Sequence, residues 1–147
     1  MKCPTMIFST VFAIGLLTTG SAVAQEAPYR EGSVWSVTLI KVKPGMFNTY
    51  IRDLAATRKP LMEEAKRQGL VVSEKMLSGN SANRDDFNMI LMVEYKNWAA
   101  YDGLSDKFQA LSSKVVGSED KQMQINVKRS DVREIFGSKD MQELTYK

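Results

Sequence analysis

Histidine is absent from this chain of 147 residues, and cysteine occurs once, at Cys3. Without histidine the chain cannot form a Ser-His-Asp triad or a histidine-ligated haem site, and most zinc and iron sites are excluded as well. An excess of positive charge is also missing, since the formal net charge is +3 and no basic run exceeds two residues. The sequence therefore predicts no metal, no cofactor and no nucleic-acid partner.

Long apolar runs are equally scarce, and the one that occurs lies at the start. Lys2 precedes an apolar run over residues 6–17, and the small-residue triplet Ala22-Val23-Ala24 follows it. A short positive segment, an apolar run of this length and an A-x-A triplet are typical of a cleaved signal peptide. We therefore expect residues 1–24 to be removed, Cys3 with them, and the mature protein to be periplasmic or secreted, with no membrane segment after cleavage.

The remaining 123 residues are enough for one domain. We interpret residues 25–32 as a flexible lead-in and residues 33–147 as a single α+β domain. β-Branched and aromatic runs predict strands, and apolar residues at helical spacing predict helices. The predicted strands are 33–42, 70–77, 87–95 and 141–147; the predicted helices are 46–68, one capped by Asn97 and extending to Leu111, and 119–137.

This order is the βαββαβ pattern of the ferredoxin-like fold, with an extra helix before the last strand. Right-handed crossovers place the first and third strands in the middle of the sheet, and both are apolar on their two faces. One layer of helices covers only one sheet face, so the exposed face predicts a second sheet. A second copy of the chain would supply it, which gives a homodimer.

Three motifs add a resemblance to this pattern: Val42-Lys43-Pro44-Gly45-Met46, Lys59-Pro60-Leu61 and Glu94-Tyr95-Lys96-Asn97-Trp98. Residues 35–111 resemble the dimeric α+β barrel superfamily, and most of all its small secreted members of unassigned function. The resemblance implies paired sheets in a dimeric barrel. It also implies a range of functions, from monooxygenases and haem-degrading enzymes to ligand-sensing regulators. Because the haem-binding members use a histidine that this chain lacks, no haem site is inferred from the resemblance.

Two hypotheses for the function follow. The first is an extracytoplasmic small-molecule-binding or accessory protein, and the alternative is a cofactor-independent monooxygenase-like or isomerase-like enzyme acting on a small organic substrate. Four aromatic residues are the candidate ligand-binding set, expected between the first helix and the sheet: Trp35, Tyr50, Trp98 and Tyr101. No catalytic residue is assigned. Arg52, Arg58 and Arg133 could hold an anion, but their sequence context favours solvated surface charge.

The signal-peptide prediction has a direct test. After expression with the native leader in a bacterial host, the intact mass of the exported protein should correspond to a chain beginning at or near Gln25. A membrane-bound product that retains residues 1–24 would contradict the interpretation.

Overall fold

The computed structural model describes residues 26–147, so the expected signal peptide lies outside the described residues. Four strands, three helices and a short 3₁₀ turn make up this part of the chain. In chain order they are β1 (Tyr29–Val42), α1 (Phe47–Arg67), β2 (Ser73–Ser78), β3 (Met89–Tyr95), the 3₁₀ turn (Trp98–Tyr101), α2 (Leu104–Val115), α3 (Glu119–Val132) and β4 (Arg133–Tyr146).

The four strands form one antiparallel sheet in the order β2-β3-β1-β4. With the βαββαβ order of elements, this is the ferredoxin-like fold, with α3 as the extra helix before the last strand. The sequence prediction of fold class is therefore confirmed, including the central position of β1 and β3 and the edge position of β2.

One face of the sheet carries the core. β1 directs Val34, Ile40 and Val42 to this face, and Tyr95 and Met89, opposite Val34 and Ile40 on β3, are buried there too. The core forms two clusters on the same face. Val34 lies in a cluster with residues of α1 and α2, and Ile40 lies in one with Tyr50 and Leu54 of α1.

The other face of the sheet contributes no residue of β1 or β3 to either core cluster. Successive strand residues point to opposite faces, and residues directly opposite in a pair share a face. The register therefore assigns a largely apolar set to this surface, which we call the open face: Trp35, Val37, Leu39, Leu77, Ile90, Met92 and Met141.

The first helix follows its prediction closely. It begins one residue later and continues without a break through Pro60. Gly69, with φ +70°, lies just beyond the helix end, and the amides of Gly69 and Leu70 donate to the carbonyls of Lys66 and Ala65. This left-handed position suits glycine and explains why the helix ends there.

Other element boundaries differ from the predictions. Asn97 makes no side-chain cap, and the segment after it is a 3₁₀ turn separated from α2 by Gly103 at φ +63°. β1 begins at Tyr29, inside the segment interpreted as a flexible lead-in, because its first residues pair with the end of β4.

No helix in residues 26–147 has the length and apolar content needed to cross a bilayer.

The largest difference concerns the last strand. The sequence predicts helix as far as Gly137, but α3 ends at Val132 and β4 starts at Arg133. Ile135 and Phe136, interpreted as part of a helical stripe, belong to a strand that pairs with β1 along almost its whole length. Pairing with a long central strand overrides the local pattern here, as is common for β structure.

Candidate functional site

A cavity of about 360 Å³ lies between the core-bearing face of the sheet and the three helices. This volume is within the usual range for small-molecule sites. Its apolar wall comes from β1, β3, β4 and the helices, and the lining residues of this kind are Ile40, Leu54, Leu61, Leu91, Val116, Ile125 and Ile135, with the ring of Tyr50.

The cavity adjoins the point where the core-bearing side of β1 becomes polar. Val34 and Ile40 point to this side, and between them the same alternation places Ser36 and Thr38. Thr38 lines the cavity, and its hydroxyl accepts a hydrogen bond of 2.9 Å from Ser138 of β4, which lines it too. The cavity therefore has hydroxyl groups on its sheet side.

Three arginines supply positive charge to the lining. Arg58 comes from α1, Arg129 from α3 and Arg133 from the first position of β4. The guanidinium carbon of Arg133 lies 5.5 Å from the ring centroid of Tyr50, which is close enough for a cation–π contact. Among the side chains of residues 26–147 that line the cavity, none is acidic.

Arg129 is fixed by α1. Its Nε lies 2.5 Å from Asp53 Oδ2, and its Nη2 donates to the hydroxyl of Thr57, which in turn donates to the backbone carbonyl of Asp53. This network joins α3 to α1 and uses two of the five N–H donors of Arg129. It closes one side of the cavity with a charge-assisted contact.

Tyr50 is almost fully buried, with 1% of its surface exposed. Burial raises the pKa of Tyr50, and the nearby charges of Arg133, Arg129 and Arg58 offset this only in part. The phenol therefore stays protonated at neutral pH and can donate a hydrogen bond.

The structure separates the four aromatic residues that the sequence analysis grouped. Only Tyr50 lines the cavity. Trp35 lies on the open face because it is one position out of phase with Val34, and Lys75 Nζ lies 4.8 Å from its ring centroid. Trp98 and Tyr101 do lie together, with ring centroids 5.9 Å apart, and they contact the C-terminal half of β4.

The Trp98–Tyr101 group is a compact aromatic cluster rather than part of the cavity wall. Tyr101 also lies against Tyr95, with centroids 4.8 Å apart, and its hydroxyl donates to Asp140 at 2.9 Å. Trp98 Nε1 donates to Gln142 Oε1. Burial, and then the hydrogen bond to Asp140, raise the pKa of Tyr101.

Sequence reasoning named Arg58 and Arg133 but favoured solvated charge for both, and it did not single out Arg129. Arg52, named with them, is exposed on α1 and does not line the cavity. A usable signal was present: Arg58 lies four residues after Leu54 on the apolar stripe of α1, so it borders the buried side of the helix. In residues 26–147 no group of three acidic, histidine or cysteine side chains is placed to hold a metal ion.

Comparison with known proteins gives structural similarity only. The structure is similar to a NIPSNAP family protein of unknown function from Agrobacterium tumefaciens C58, with 8% identity, a TM-score of 0.45, and coverage of 79% of this chain and 90% of that one. It is also similar to a dimeric ferredoxin-like protein from an uncultured marine organism, with 13% identity, a TM-score of 0.48, and coverage of 79% and 96%. No protein-family model and no curated protein sequence matches the chain.

The fold assignment rests on the order of elements and strands in this chain, and it agrees with the resemblance inferred from the sequence. At these identities and TM-scores, the function of either neighbour says nothing about this protein.

The tyrosine environment predicts how stability depends on pH. A raised pKa means that the native state keeps its phenol proton where the unfolded chain, with a tyrosine pKa of about 10, has lost it. The free energy of unfolding should therefore hold below about pH 10 and fall as the pH rises further. Urea unfolding at pH 8 and at pH 11 measures this fall.

Tyr101→Phe should make the alkaline fall shallower, because it removes one of the titrating groups. At pH 8 it should cost about 1.5 kcal/mol, the low end for a hydrogen bond to a charged group, because this bond is exposed to solvent. Tyr146→Phe is the matched control, since Tyr146 is 96% exposed and should affect neither measurement. A Tyr101→Phe protein that loses stability as steeply as the wild type would contradict the assignment.

Proposed function

We propose that this protein is an extracytoplasmic homodimer that binds a small organic molecule in the cavity between the sheet and the helices. The cavity is the observation that carries the proposal. It combines an apolar wall with a few convergent polar groups, the combination that is typical of small-molecule sites. The extracytoplasmic location rests on the signal-peptide pattern of residues 1–24.

The chemistry of the lining favours binding over catalysis. A general base must accept a proton, and the ionisable groups of the lining are guanidinium groups and a tyrosine kept protonated by burial. The remaining polar groups are hydroxyls and amides, which donate and accept hydrogen bonds without titrating. Such groups orient a ligand well.

The open face supports the homodimer. Its centre is apolar, and its margin carries both signs of charge, including Lys75, Lys139 and Glu94. In a two-fold interface the same surface meets itself, so a surface with both signs can pair each charge with its opposite. A second copy packed there would cover the apolar centre and form the barrel implied by the sequence resemblance.

The binding proposal is tested with a neutral fluorescent probe, 1-aminoanthracene. The wild-type protein should bind it with enhanced fluorescence, whereas Ser112→Trp should reduce binding strongly, because the indole would occupy space in the cavity that Ser112 lines. Ser113→Trp is the matched control, since its neighbouring position on α2 is exposed and does not line the cavity. Equal binding by both variants, or no binding by the wild type, would contradict a site in this cavity.

The homodimer proposal is tested by light scattering coupled to gel filtration. The wild type should give twice the mass of one mature chain at micromolar concentration. Val37→Asp should give the mass of one chain or unfold, because a charge would be buried without a partner at the centre of the open face. Val72→Asp is the control, since Val72 is 53% exposed and lies outside the strands. A wild-type protein of single-chain mass would overturn the proposal.

A further inference from the structure

The arginines of the cavity differ in how far their charge is compensated. Arg129 is paired with Asp53 at 2.5 Å. Arg58 Nε lies 3.4 Å from Glu74 Oε2, and Glu74 is also shared with Lys66. Within residues 26–147, no carboxylate lies within ion-pair distance of Arg133. The cavity therefore carries about one uncompensated positive charge, located at Arg133.

Two buried guanidinium nitrogen atoms at the cavity make no hydrogen bond. The Nε atoms of Arg58 and Arg133 are fully buried, and neither has a hydrogen-bond partner in the described part of the chain. Buried polar groups are nearly always hydrogen-bonded, and an unsatisfied one is costly, more so when it is charged. Glu74 lies beside Arg58 Nε without accepting a hydrogen bond from it, whereas Arg133 Nε has no carboxylate within ion-pair distance in residues 26–147, which indicates a missing acceptor at Arg133.

We infer that the ligand of this cavity is a small monocarboxylate with an apolar body, whose carboxylate is bound by Arg133 together with Arg58. The inference rests on the function proposed above and adds the class of ligand. A guanidinium group matches a carboxylate in shape and can donate two parallel hydrogen bonds to it. One uncompensated positive charge calls for one negative charge, and Tyr50, whose ring centroid lies 5.5 Å from the guanidinium carbon of Arg133, lines the same cavity.

The rest of the cavity defines the body of the ligand. The apolar part of its lining is made mainly of aliphatic side chains, which suits a hydrocarbon chain or ring. The volume of about 360 Å³ equals that of about twelve water molecules at about 30 Å³ each. A ligand of about that many non-hydrogen atoms would fill it, and octanoate is a suitable probe.

Calorimetry with the wild-type mature protein should show that octanoate binds roughly 10- to 100-fold more tightly than octan-1-ol, the advantage expected for hydrogen bonds to a charged group. Octan-1-ol has the same chain and no charge, so the comparison isolates the carboxylate. This measurement needs no substitution and does not depend on the folding of a variant.

Arg133→Met should remove most of the preference for octanoate while leaving binding of octan-1-ol and 1-aminoanthracene within about twofold, because methionine keeps an apolar stem against Tyr50. Arg133→Lys should restore part of the preference. Arg52→Met is the matched control, since it removes one positive charge from the exposed side of α1, away from the cavity lining. It should leave the binding of all three ligands unchanged.

The outcomes separate the two proposals. If octan-1-ol and 1-aminoanthracene bind but octanoate binds no more tightly, the carboxylate inference is wrong and the binding function stands. Loss of all three ligands in a folded Arg133→Met protein would also overturn the inference, because Arg133 would then only shape the cavity. If none of the three binds to the wild type, the proposed function itself fails.

Discussion

The inward side of β1 is apolar at Val34 and again at Ile40 and Val42, and polar between them, and the arrangement of the whole molecule depends on this change. Val34 lies in one core cluster and Ile40 in the other, while Ser36 and Thr38 lie between them. Hydroxyl groups on a buried face need hydrogen-bond partners, and Thr38 finds one in Ser138 of β4. The helices pack against the two apolar positions, Val34 and Ile40, and the cavity lies beside the polar position Thr38.

The two faces of the sheet have different surroundings, because successive strand residues point to opposite faces. Along β4, Arg133 and Ser138 line the cavity, whereas Lys139 and Met141 belong to the open face. A register shift lies between Arg133 and Ser138, where Phe136 has no direct partner on β1. The shift keeps Arg133 and Ser138 on the same side of the sheet although they are five positions apart, an odd separation that regular alternation would place on opposite faces. A substitution on one face can therefore leave the other face intact.

The sequence was sufficient for the fold and insufficient for the cavity, for a physical reason. Element order and crossover handedness determine which strands are central, and Gly69 marks the end of α1 by its local geometry. The cavity instead depends on where α3 ends and β4 begins. That boundary is set by pairing of Val42 with Arg133, two residues 91 positions apart in the chain, and no local pattern encodes it.

The candidate site shows the same division. Tyr50 was predicted from the apolar stripe of α1 and does line the cavity, because a helix face follows directly from residue spacing. Trp35 was grouped with it, although the alternation of β1 already places Trp35 on the other face of the sheet from Val34. The role of Arg133 could not be read in this way, since its charge matters only because no carboxylate in residues 26–147 comes near it in the folded chain. Charge compensation is a property of the tertiary structure, so the same guanidinium group that looks like surface charge in the sequence becomes a cavity-lining charge without an ion-pair partner in residues 26–147.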